Sequence, residues 1–376
     1  MPTQPEIAVV ICTYERPRHL HRCLLSLAAQ KGVDGKMEVV VVDDGSRDNT
    51  PDVVERFRRE VRFPVKFLTH SKDGFQQSRC RNEGINGSTA PYLLFTDADC
   101  LLPPDHISGH LRARRPGVAR VGDCFRIDEA TSARIDTKSV ESGAYLAELA
   151  AAVRRWRWPL VRKHTWYHLT RNRLRPKLIG WNMGMWRSDV ELINGFDQRF
   201  RAWSCEDDDL AMRLRATGVR IRSALAYTYG FHLWHPPHST TPTLWRDGPN
   251  VPYLTRPVRL TRCLSGLREY PLSAVTARYT AGAAHARLAA QVQAQFAKPI
   301  ATPELDLLFW SAPSGFVGNA EHRILLAADP ATVPPAVKRR AAATITLQPG
   351  ATAATVVDQI DHALHGLAVD PRSLAA

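Results

Sequence analysis

Several things are missing from this sequence, and each absence narrows its function. No apolar run approaches the roughly 18 residues that a membrane-spanning helix needs, so no transmembrane segment is expected. No basic stretch precedes the first apolar segment, which argues against a secretory leader. The seven cysteines are odd in number and include no Cys-x-x-Cys pair. Reduced, buried thiols in a cytoplasmic protein are therefore expected, rather than a disulfide framework or a structural zinc site. The first apolar run is followed by Thr13-Tyr14-Glu15-Arg16-Pro17 rather than a glycine-rich phosphate loop, which disfavours a nucleotidyltransferase of similar architecture. There is no internal repeat, and no helix-turn-helix or RNP-like signature that would mark a specific nucleic-acid binder.

What remains is ordinary globular material. Of 376 residues, 44% are hydrophobic and 23% charged, enough for a full core in two domains or in one with an appendage. Lys and Arg number 50 against 37 Asp and Glu, a formal net charge of +13. That balance permits phosphorylated ligands, anionic lipid or nucleic acid without selecting among them. Nine of these cations fall between Val153 and Lys177, a stretch with no acid, where Trp156, Trp158, Trp166 and Tyr167 are interleaved.

Apolar, β-rich runs at Ile7–Cys12, Met37–Val42, Val65–Leu68 and Tyr92–Phe95 read as buried strands. Between them, Leu20, Cys23, Leu24 and Leu27 follow helical spacing, Thr50-Pro51 opens a helix continued by Val53, Val54 and Phe57, and Arg79–Gly87 suits a third. Strands alternating with helices predict βαβ units and a mainly parallel α/β sheet. Ligands of such sheets sit beyond the carboxyl ends of the strands. Thr13, Asp43, Asp44, Asp97 and Asp99 fall there. Later, Leu272–Phe296 reads as one long helix, Leu305–Ser311, Arg323–Ala328 and Ala343–Leu347 as strands, and Ala354–Leu367 as a last helix. The expected organisation is a main domain over 1–240, a Pro-rich linker and helical extension over 241–298, and a small α/β unit over 299–376.

Five clusters can carry chemistry. Asp97-Ala98-Asp99 ends a strand, and residues two apart point the same way in extended backbone. Two carboxylates at one spot repel, so one raises its pKa unless a divalent cation such as Mg²⁺ or Mn²⁺ is present. The alternative is a solvated acidic loop. Asp43-Asp44-Gly45-Ser46 is either an acidic turn or an acceptor for base and ribose donors. Arg81, in Arg81-Asn82-Glu83-Gly84, either lies on a helix surface or reaches a phosphate or sugar. Glu206-Asp207-Asp208-Asp209 complements a helix dipole, yet four acids exceed what capping requires, leaving one as a potential general base. His232, His235 and His238 within seven residues suit a metal or diphosphate contact, or a structural role.

The order of these motifs, with Gly180-Trp181-Asn182-Met183-Gly184 and Trp203-Ser204-Cys205-Glu206-Asp207-Asp208-Asp209-Leu210, resembles the family 2 glycosyltransferases of the GT-A fold over about residues 5–240. The stretch from Gly180 to Leu214, with Ile193-Asn194-Gly195-Phe196-Asp197, also resembles galactosyl- and N-acetylgalactosaminyltransferases. The resemblance implies a GT-A, Rossmann-like mixed sheet, mainly parallel, with helices on both faces and a C-terminal extension. It implies an inverting hexosyl- or N-acetylhexosaminyltransferase that moves a sugar from a nucleotide-diphosphate donor, by default a UDP-sugar, to a hydroxyl of a glycan, lipid-linked, peptide or secondary-metabolite acceptor. By position, Thr13, Glu15 and Asp44 would line the nucleotide, Arg81 the diphosphate or donor sugar, and Asp97 the ribose and diphosphate. Asp99 with His235, or else His232, would hold Mn²⁺ or Mg²⁺. Gly180, Trp181 and Asn182 would border the donor sugar, Glu206 would touch the acceptor, and Asp207 would be the base. The family usually has Asn where Glu15 stands and Gly where Cys205 stands. In such enzymes the region of 153–177 lies between donor and acceptor sites, which suggests an acceptor lid or a patch for an anionic acceptor or membrane surface. The competing class is a non-catalytic nucleotide-sugar or anionic-ligand binding module.

Overall fold

The computed structural model describes residues 4–172, 174–202, 204–237, 241–311 and 315–365. Trp203 and His238, both part of the sequence motifs, lie outside them. The chain divides into two compact units, Met1–Thr243 and Leu244–Ala376.

The first unit starts with strictly alternating βα segments. These are β1 (Ile7–Thr13), α1 (Pro17–Ala28), β2 (Met37–Asp43), α2 (Thr50–Glu60), β3 (Val65–Thr69), α3 (Gln77–Gly87) and β4 (Tyr92–Asp97). All seven residues of β1 and of β2 are buried, as strands covered on both faces require. Ile7, Val9 and Ile11 pack with Leu20, Leu24 and Leu27 of α1 and with Val54 and Phe57 of α2. Cys12, Val40 and Val42 face the other way, onto Cys80 of α3. Helices thus cover both faces. At Gly84 of α3 a Cβ would lie 2.2 Å from Val10 Cγ1. Only glycine lets this helix lie so close to β1, and that approach positions Arg81, one turn earlier, over the strand ends.

The chain continues through β5 (Cys100–Leu101), α4 (His106–Ala113), β6 (Val118–Val121), β7 (Cys124–Arg126), α5 (Glu129–Arg134), α6 (Thr137–Ser142) and α7 (Ala144–Leu169). It then forms β8 (Met183–Trp186), α8 (Arg187–Leu192), α9 (Glu206–Ala216), β9 (Arg220–Ser223) and β10 (Gly230–His232). The seven-stranded sheet has the order β3-β2-β1-β4-β8-β6-β9. It is parallel except at β8, which runs antiparallel to both β4 and β6. A small sheet, β5-β10-β7, sits beside it. This mainly parallel α/β arrangement is the fold class expected.

Inside α9, Asp209 and Arg213 form a salt bridge at 2.6 Å with both side chains fully buried. Arg213 also donates to the carbonyls of Ile193 and Gly195 at 2.9 and 2.8 Å, so it ties the helix to the loop after α8. Arg213→Leu leaves Asp209 a buried carboxylate without its cation, and a loss of about 3–5 kcal/mol is expected in urea unfolding. A change under about 0.5 kcal/mol would show that the pair carries no net stability.

The second unit contains α10 (Val251–Leu254), β11 (Ala277–Ala281), α11 (Ala286–Gln293), β12 (Leu305–Phe309), β13 (His322–Ala327), α12 (Pro335–Lys338), β14 (Ala343–Thr346) and α13 (Ala353–His365). Its sheet, β11-β12-β13-β14, is wholly parallel. Here the long helix expected over 272–296 is corrected: a strand and a short helix stand in its place. The alanines favour a helix, but Val275, Thr276, Tyr279 and Thr280 fit a pleated surface, and Gly282 breaks the run. Pairing with β12 then decides the conformation. The sheet thereby takes its first strand from within the segment expected to be linker and helical extension.

Candidate active site

Three strand ends and one helix start build the site. At the end of β1, Thr13 is buried and its Oγ1 has no hydrogen-bond partner, while its carbonyl accepts from Asp44 N–H at 2.9 Å. Glu15 is exposed and sits at φ +46, with its N–H donating to Ser46 Oγ at 2.8 Å. Asn enters this left-handed region more readily than Glu, which gives a backbone reason for the family's usual residue.

The Asp43-Asp44 pair divides its labour. Asp43 accepts from Ser46 N–H and Thr69 Oγ1, both at 2.9 Å, and so fixes the turn. Asp44 meets Lys72 Nζ at 2.6 Å and His70 Nε2 at 3.0 Å, and Lys72 lies 3.6 Å over the Tyr14 ring. His70 also reaches Glu83 at 2.8 Å. His70 and Lys72 carry no motif. Their only sequence signal is a polar loop at the carboxyl end of β3.

Asp97 and Asp99 have opposite surroundings. Burial, with Asp99 and Glu206 adding repulsion, pushes Asp97 up to about 6 against the pull of Arg81. Gln77 donates to it at 3.0 Å. Burial would raise Asp99 too, but the His235 hydrogen bond, His232 and Arg16 outweigh it and hold it well below the usual carboxylate range. His235 Nε2 lies 3.1 Å from Asp99 Oδ2, His232 Nε2 3.6 Å from Oδ1, and Arg16 Nη1 2.8 Å from Oδ2. The β5–β10 ladder brings them together: Cys100 pairs with His232, and Leu233 N–H donates to the Asp99 carbonyl at 2.9 Å. The single oxygen and two imidazole nitrogens lie within 4.8 Å of one another. Such a mixed set suits Mn²⁺ better than the harder, oxygen-seeking Mg²⁺. His235 Nδ1–H donates to the Pro236 carbonyl at 2.7 Å, which leaves Nε2 as the atom that could take a metal. Both histidines therefore stand at the carboxylate.

Arg81 joins the two acidic clusters. Its buried guanidinium donates to Glu206 Oε1 at 2.8 Å and lies 3.8 Å from Asp97 Oδ1. Burial would weaken the cation, but Glu206 and then Asp97 raise its pKa well above the usual value. Gly180 makes this possible, since a Cβ there would lie 2.1 Å from Arg81 Nη2. Gly180→Ala is expected to push the guanidinium off Glu206 and to weaken nucleotide-sugar binding at least tenfold, or about 1.4 kcal/mol, by calorimetry. Unchanged affinity would remove Arg81 from donor binding.

Trp181 stacks edge-on with His232 at 5.1 Å and lies under Arg126 at 5.1 Å. Its neighbour Asn182 is turned into the protein. It is fully buried, accepts from His110 Nε2 at 2.8 Å and donates to the Asp123 carbonyl at 3.4 Å. Asn182 thereby ties the start of β8 to α4 and to the residue before β7.

The first turn of α9 assigns its four acids differently. Glu206 pairs with Arg81, Asp208 with Lys177 at 2.9 Å, and Asp209 with Arg213. Among the described residues Asp207 accepts only the Asp208 N–H, at 2.8 Å. Burial, then Glu206 and Asp208, push it up to about 7. The turn is entered through Ser204 at φ +84 and Cys205 at φ +81. Glycine tolerates that conformation freely, so the Cys at 205 keeps the loop shape of a glycine position at a backbone cost of about 1 kcal/mol.

Residues 8–138 match the model for glycosyl transferase family 2, and residues 163–236 match the N-terminal domain of galactosyltransferase. The chain thus carries a glycosyltransferase family 2 domain followed by a galactosyltransferase N-terminal domain. Its first unit has the mainly parallel, mixed α/β sheet with helices on both faces that the resemblance implied. The chain is 32% identical over 233 residues to validoxylamine A glucosyltransferase of Streptomyces hygroscopicus subsp. limoneus, covering 57% of the chain and 49% of the relative. It is 25% identical over 240 residues to chondroitin synthase of Escherichia coli, covering 59% and 34%. The chain thus spans about half or less of the length of these curated relatives. The solved mannosyltransferase PcManGT of Pyrobaculum calidifontis, in complex with GDP-Man and Mn²⁺, superposes with a TM-score of 0.42 at 18% identity, covering 68% of this chain and 63% of that one.

Proposed function

We propose that this protein is an inverting, metal-dependent glycosyltransferase that moves a sugar from a nucleotide-diphosphate donor, a UDP-sugar by default, to an acceptor hydroxyl. One observation carries the reading. Arg81 touches both the strand-end carboxylate Asp97 and Glu206, which opens the helix bearing Asp207, so a donor-side and an acceptor-side group flank one cation. In the proposed step the acceptor oxygen bonds to the anomeric carbon as the carbon–phosphate-oxygen bond breaks, and the nucleoside diphosphate leaves. Asp207 takes the acceptor proton. Arg81 orients the donor and offsets the charge on the leaving group. Thr13, Asp44 and Asp97 hold the nucleotide. Asp99, His232 and His235 would hold Mn²⁺ or Mg²⁺, and such an ion supplies charge neutralisation at the diphosphate.

The test is nucleotide release from a panel of UDP-, dTDP- and GDP-sugars with Mn²⁺, Mg²⁺ or EDTA. Slow release from one donor, dependent on metal, is expected. Silence with every donor, together with no nucleotide-induced shift in melting temperature, would put a binding module in place of an enzyme.

A further inference from the structure

The outward face of α7 carries chemistry that the reaction leaves unused. The helix runs for 26 residues. Its inner face holds the buried Val153, and there Arg157 donates to the Leu225 carbonyl at 2.7 Å and His164 meets Ser223 Oγ at 3.0 Å. At 3.6 residues per turn, Arg155, Trp158, Arg162, Trp166 and Leu169 fall on the opposite side, flanked by Lys163. Trp158, Trp166 and Leu169 are 51%, 64% and 70% exposed, and Leu174 just beyond the helix is 73% exposed. No acid occurs between Glu148 and Asp189. No helix among the described residues is long and apolar enough to cross a membrane.

We propose that this face seats the protein on an anionic phospholipid surface, with α7 lying in the plane of the interface. Tryptophan favours the headgroup level, leucine gains from burial below it, and Arg and Lys sink their stems while keeping their charges at the phosphates. Charge complementarity selects this occupant. A second copy of the same face would set cation against cation. A nucleic acid would use the tryptophans and the charges but would leave Leu169 and Leu174 in water. The inference stands apart from the assignment of the reaction.

The full chain should sediment with vesicles of phosphatidylglycerol and phosphatidylcholine but not with phosphatidylcholine alone, and salt should weaken the binding. Brominated acyl chains should quench tryptophan fluorescence, and W158S/W166S should remove that quenching without changing thermal unfolding. Each basic residue near an anionic surface contributes about fivefold, so R155Q/R162Q/K163Q should weaken binding about a hundredfold. Equal binding to neutral vesicles, wild-type binding by the triple variant, or salt-sensitive association without quenching would each overturn the proposal.

Discussion

Asp207→Asn is expected to lower kcat by about 10²–10⁴-fold while the donor still binds. Asn keeps the shape and can still accept the Asp208 N–H, but it cannot take a proton. The neighbouring acids are poor substitutes, since Glu206, Asp208 and Asp209 are each held by a cation. Steady-state kinetics beside calorimetric donor binding separates the two effects. The pH profile adds an independent check. A base must be deprotonated, and Asp207 lies at about 7, so wild-type kcat/KM should fall as pH drops through that value. The variant should lose that limb. A variant with wild-type kcat, or one that keeps the same acid limb, would take the proton from Asp207 and give it elsewhere.

Asp99→Ala should abolish metal-dependent turnover of the donor, by about a thousandfold or more, because it removes the only carboxylate from the Asp99–His232–His235 cluster. Melting curves provide a readout that does not depend on activity. An ion at a hundred times its Kd stabilises the folded wild type by about 2.7 kcal/mol, and the variant should show no such shift with Mn²⁺. The variant also leaves Arg16, His232 and His235 facing one another without their shared anion. Its stability without metal should therefore be measured beside the wild type. Equal Mn²⁺ shifts in both proteins would move the metal site away from Asp99.

Much of this site lies in segments whose local pattern is strong. The strands β1 to β4 are short apolar runs, and a parallel sheet gathers the residues at their carboxyl ends along one edge. Thr13, Asp44, Asp97 and Asp99 are therefore legible together from the chain alone. The helix start at Glu206 is equally plain, since its acids complement the dipole. The long helix expected over 272–296 does not form, because alanine's intrinsic preference is weak against the ladder that β12 offers to residues 277–281. Lys72, His70 and Gln77 stand out in no motif, because a partner brought near by folding leaves no spacing in the sequence.

Sequence by itself determined the alternation of strands and helices, the presence of a glycosyltransferase family 2 domain, and which edge of the sheet carries the acids. Those properties follow from local periodicity and from residues at element ends. Only the tertiary structure decided which acids were available for chemistry. Arg81, Lys177 and Arg213 occupy Glu206, Asp208 and Asp209, the β5–β10 ladder carries both histidines to Asp99, and Asn182 turns into the wall. Carboxylates of the same kind differ in role because burial and a neighbouring cation set their charge, and both depend on residues distant in the chain.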